Sequence, residues 1–76
     1  MTTSIQIFRR LPSTYLFIVT INDKQIFNDF GELGEDKILA FNEPGPDSKL
    51  FDVLQNSLLM ALEQTQTFFP PIPKDR

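Results

Sequence analysis

From Tyr15 to Ile21 the chain reads YLFIVTI, apolar at every position except Thr20. A strand sends alternate side chains to opposite faces, so Tyr15, Phe17, Val19 and Ile21 line one side and Leu16, Ile18 and Thr20 the other. Both faces of this strand therefore call for cover. The same two-sidedness returns in residues 37–42, KILAFN, where Ile38 and Ala40 alternate with Leu39 and Phe41.

The neighbouring segments predict the rest of a sheet. In residues 4–10, SIQIFRR, Ile5 and Ile7 alternate with Gln6 and put Phe8 on the opposite side, which predicts a first strand. Pro12 cannot donate to a ladder and marks a connection before the second strand at 14–21. Asn22 and Asp23 tolerate the positive φ of tight hairpins, which predicts a turn into a third strand, QIFNDF, at 25–30. An Asn22-Asp23 loop sets Val19 opposite Ile26 and Ile18 opposite Phe27, and an Asp23-Lys24 loop sets Ile21 opposite Ile26. Gly31 and Gly34, with Glu32, Glu35 and Asp36, read as a wet loop before the fourth strand.

After the rigid loop EPGPD, Asp47 or Ser48 is suited to cap a helix running from 48 to about 67. At about 100° per residue, Leu50, Phe51, Val53, Leu54, Leu58, Met60, Ala61 and Leu62 fall on one broad arc, with Lys49, Asp52, Gln55, Asn56, Glu63 and Gln66 opposite. Leu59 falls on the polar arc. The pattern thus predicts one α+β domain over residues 1–67, a mainly antiparallel four-stranded β-meander followed by one C-terminal α-helix packed on one face. Residues 68–76, rich in proline, form an extended tail.

One helix of about 20 residues, roughly 30 Å long, covers one face of such a sheet and not two. A far face drawn from Leu16, Ile18, Phe27, Leu39 and Phe41 forfeits roughly 1.5 to 3 kcal/mol for each large apolar group left in water. That loss approaches the whole stability of an ordinary domain, about 5 to 15 kcal/mol. The imbalance predicts association through this face, with a homodimer favoured over a different protein partner, and over cover by the folded-back tail from Phe68 to Pro73 and the loops, because two-fold dimers are the commonest assembly. Leu59, Phe68 and Phe69 are secondary candidates for partner contact.

Composition narrows the chemistry. A chain of 76 residues lies at the small end for a single core, yet it has no cysteine and no histidine. Disulfides, thiol and imidazole catalysis and the ordinary ligands of zinc, copper, haem and iron–sulfur sites are therefore excluded. Neither a metal nor another cofactor is expected. A net charge of -3 and a pI near 4.6 argue against nucleic acid or an anionic membrane as partner, and Arg9-Arg10 is the one adjacent basic pair. The N-terminal residues lack the order of a signal peptide, since the arginines follow the apolar positions, and a cytoplasmic location is expected.

Candidate chemistry is sparse. Glu32, Glu35 and Asp36 do not follow the alternation of a calcium loop and read as a solvated surface. No phosphate loop, nucleophile elbow or serine with a plausible base occurs, so no enzyme is expected. Tyr15 and the phenylalanines read as core rather than as base-stacking platforms, because flanking positive charge is thin. Pro70 to Pro73 has a PxxP spacing with a poorly placed basic flank. These features predict a small non-enzymatic interaction module, an adaptor, assembly factor or regulatory subunit. The alternative is an acidic inhibitor whose Glu32, Glu35, Asp36, Glu43 and Asp47 mimic nucleic acid and block a basic site.

Overall fold

A computed structural model describes residues 1–64 and 68–74. Strands β1 (Thr3–Arg10), β2 (Thr14–Ile21), β3 (Lys24–Leu33) and β4 (Leu39–Phe41) form an antiparallel sheet in chain order, and helix α1 (Ser48–Glu63) follows. The architecture is the α+β meander with one C-terminal helix that the hydrophobic pattern predicts.

The β2–β3 hairpin turns on Asn22 and Asp23, with φ of 52° and 66°, the left-handed pair a tight two-residue turn demands. Ile21 faces Lys24 and Thr20 faces Gln25, but the next pair is Val19 with Phe27. Ile26 is thus the extra residue of a β-bulge. One inserted residue sends every later side chain of β3 to the other face, which is why Phe27 lies beside Val19 rather than opposite Ile18.

β3 also runs further than expected, through Gly31 and Glu32. Gly31 sits between Tyr15 and Phe41 in the register. A Cβ there would lie 2.8 Å from Cε2 of Phe41 and 3.2 Å from Cε1 of Phe17. The glycine admits a ring instead of ending a strand. β4, in turn, is only three residues long.

The core lies between the sheet and α1. Tyr15, Phe17, Val19, Leu39, Leu54 and Leu58 are buried, and Ile5, Ile7, Phe27, Leu33, Phe41, Leu50, Phe51, Leu62 and Phe69 pack around them. Phe41 is its aromatic hub, with ring centroids 5.5 Å from Phe17, 5.6 Å from Phe27 and 6.0 Å from Phe51. Tilted and edge-on contacts of this kind add to simple burial.

Asp47 caps α1: its Oδ1 accepts the Leu50 N–H at 2.8 Å. The helix ends at Glu63, and Gln64 is extended. It thus stops short of the expected end near 67; residues 65–67, with Gln66 expected on the polar arc, lie outside the described residues. The helix is also turned relative to the expected arc. Leu54 and Leu58 are buried, while Val53 and Met60 are 47% and 64% exposed, and Leu59 is half-buried. Two contacts account for the rotation: Phe51 meets the Phe41 ring, and Gln55, expected on the wet side, accepts the Leu39 N–H at 3.0 Å through Oε1. Together they draw the Phe51–Gln55–Leu62 side of the helix toward β4.

Beyond the helix, Phe69 stacks edge-on against Tyr15 at 5.8 Å, and Pro70 O accepts the Arg9 N–H at 2.8 Å. The C-terminal segment therefore lies back along the end of β1, with Pro71 in a parallel bridge to Arg9.

Candidate interaction surfaces

The face of the sheet away from α1 is the surface expected to associate. Of the five residues assigned to it, the structure keeps Leu16 and Ile18 there and moves Phe27, Leu39 and Phe41 into the core under the helix. The bulge at Ile26 moves Phe27. Leu39 and Phe41 follow from the β4 register, in which Phe41 shares a row with Gly31 and Tyr15.

What remains on the open face is a short apolar row. Phe8, Leu16 and Phe30 are direct cross-strand partners on β1, β2 and β3, with Ile18 flanked by Gln6 and Asn28 in the next row. Leu16 is fully buried although no layer among the described residues covers this side, and Phe8, Ile18 and Phe30 are half-buried. Directly opposed side chains lie about 4.5 to 5.5 Å apart at Cβ, so two phenyl rings close over the leucine between them. Arg10 completes the cover, its guanidinium carbon 5.6 Å from the Phe30 ring centre. Antiparallel sheets tolerate one solvated face, and this one shields its apolar centre from within the chain.

The two edges of the sheet differ. At the β3–β4 edge, Asp29 Oδ1 accepts the Phe30 N–H at 2.8 Å, Gln55 takes the Leu39 N–H, and the bulge breaks the line. At the β1 edge, even-numbered residues bond inward, as Thr2 O does in accepting the Asn22 N–H, and Arg9 turns its N–H outward to Pro70. Thr3, Ile5 and Ile7 share the parity of Arg9. Among the described residues, Arg9 alone on this edge has a backbone partner on the outer side.

A third surface surrounds Arg9. The guanidinium lies 5.7 Å from the Tyr15 ring centre, and its Nε is buried with no acceptor among the described residues. A hollow of about 440 Å³ is lined by Arg9, Arg10, Leu11, Ile72, Lys74 and the flanking prolines. A second, of about 400 Å³, is lined by Arg9, Leu11, Phe68, Phe69 and Pro71. Leu11 and Phe68 are 74% and 84% exposed, so the same groove combines positive charge with uncovered apolar side chains. Nothing in the hydrophobic pattern singles out Leu11, which reads as one residue of a connection. The available signal was its place between an arginine pair and Pro12.

The other candidates separate. Leu59 borders a small hollow with Lys37, Leu62 and Glu63, none of which lines the hollow of Phe68 and Phe69. Of the acidic set, Asp47 is occupied as the helix cap, Asp36 Oδ1 accepts the Ile38 N–H at 3.1 Å, and Glu32 Oε1 accepts from Ser13 Oγ at 3.3 Å. Glu35 lies in the β3–β4 loop and Glu43 beyond β4, both exposed. No cluster of three or more acidic, histidine or cysteine side chains is placed to hold a metal ion among the described residues. No helix among them is long and apolar enough to cross a membrane. Comparison with protein-family models, curated proteins and solved structures finds no match to this chain.

Proposed function

We propose that this protein is a small non-enzymatic interaction module that engages a segment of another protein in the groove around Arg9. The observation that carries this reading is that, in a chain of net charge -3, a hollow lined by Arg9, Arg10 and Lys74 and one lined by the exposed Phe68 share Arg9, the exposed Leu11 and Pro71. Such a groove suits an extended segment that places a carboxylate near the arginines and an apolar side chain against Leu11 and Phe68. Arg9 has no carboxylate partner among the described residues, and its stack on Tyr15 holds the side chain in place without neutralising it. The open sheet face gives less support, because its central leucine is already covered by Phe8 and Phe30.

Selection of a random displayed peptide library against the immobilised protein tests the reading. Enriched peptides are expected to carry an acidic residue close to an aromatic or aliphatic one, to shift the backbone resonances of Arg9 and Leu11, and to bind at least about tenfold more weakly to Arg9→Glu. Failure to enrich any sequence, enrichment of basic peptides, or shifts confined to the open sheet face contradicts it.

A further inference from the structure

We infer that the β1 edge is a docking edge for a second copy of this chain, pairing Thr3–Ile7 antiparallel with the same stretch about a two-fold axis at Ile5. This inference stands independently of the Arg9 groove. Thr3, Ile5 and Ile7 turn their N–H and C=O groups away from β2, and among the described residues none of these groups has a partner. A row of open donors and acceptors on an uninterrupted strand is a template for another strand. The devices that blunt such edges are lacking here: residues 3–8 carry no charge, no proline and no bulge. The opposite edge has a bulge, a side-chain cap on Phe30 N–H and another on Leu39 N–H. Among the described residues, one edge is closed and the other is open from Thr3 to Ile7.

The occupant follows from self-complementarity. With Ile5 facing Ile5 of the second copy and Thr3 facing Ile7, every outward group on the three residues finds a partner, in about six backbone bonds. Residues of equal parity then meet, so both helices lie on the same side of one continuous sheet. The half-buried Ile5 and Ile7 join across the seam, and Ser4 meets Gln6 on the open face, with no like charges opposed. Pro70 limits the register on the Arg9 side. It already takes the Arg9 N–H, so the added strand ends at Ile7, and a slip toward Arg9 would have to displace the C-terminal segment.

Sedimentation velocity over a concentration series, read with amide hydrogen exchange, tests the pairing. The wild-type chain is expected to move from 8.8 kDa toward twice that mass, with slowed exchange at Ile5 and Ile7 in the dimer. Ser4→Lys/Gln6→Lys opposes like charges across the seam, as does Ser4→Glu/Gln6→Glu. Each variant alone should dimerise at least tenfold more weakly, and an equimolar mixture should restore the dimer. Rescue on mixing distinguishes lost pairing from lost folding. A wild-type mass that stays monomeric to millimolar concentration overturns the inference. So does a dimer in which the Ile5 and Ile7 amides exchange as they do in the monomer, or one that both charged variants retain.

Discussion

The two faces of the sheet solve one problem in different ways. Under α1, Tyr15, Phe17 and Val19 are sealed by a second layer, with Leu54 and Leu58 set against them and Phe41 joining three other rings. On the open side the described residues form no second layer, yet Leu16 is as thoroughly buried as Phe17. There the cover comes sideways, from rings on the flanking strands and an arginine over one of them. Apolar content on both sides of a strand therefore does not require two covering layers. In-plane neighbours suffice when the apolar row is short and polar residues border it.

Substitutions that delete cover sharpen the contrast. Phe17→Ala removes a ring packed against both Tyr15 and Phe41 and should cost about 3 to 5 kcal/mol, the largest loss in the molecule, read from urea midpoints. Leu16→Ala is also a core deletion, but its site opens to solvent once the leucine is gone, and water or the flanking rings can fill it. Its cost should fall near the lower bound for such changes, about 2 kcal/mol. Equal losses at the two positions would mean that the open face is as rigidly enclosed as the helix face. Gly31→Ala pushes a methyl into the Phe41 ring and should cost about 1 to 3 kcal/mol through overpacking, with altered chemical shifts at Phe41 and Phe17. Met60→Lys, on the outer helix surface, should shift stability by no more than about 0.5 kcal/mol. A larger loss would show that the helix is rotated toward the arc expected from its sequence.

What was legible in the chain was local. The turn was legible as Asn22-Asp23 or Asp23-Lys24, the cap as Asp47 or Ser48, and the meander from the alternation between Ile5 and Phe41, because each depends on residues close in sequence; the structure selects Asn22-Asp23 and Asp47. The bulge at Ile26 was not legible, since an extra residue in an apolar strand leaves the alternation looking intact while reversing the faces beyond it. That one insertion misplaced Phe27. The rotation of α1 was hidden for a related reason: its apolar arc is broader than the sheet can contact, and the choice within it is made by Phe41 and Leu39, distant in sequence. Gly31 reads as a breaker in any local window, and only the ring packed above it explains the residue. The groove at Arg9 depends on the C-terminal segment returning to β1, which no periodicity encodes.

The self-covered open face is tested most directly by isotope-filtered NOE spectroscopy on a mixture of labelled and unlabelled chains. The Leu16 methyl groups should show strong NOEs to the Phe8 and Phe30 rings of their own chain and none to a neighbouring one, with any intermolecular contacts confined to β1. Intermolecular NOEs to Leu16 or Ile18 would contradict it, placing a second chain on the side of the sheet that Phe8, Phe30 and Arg10 close here.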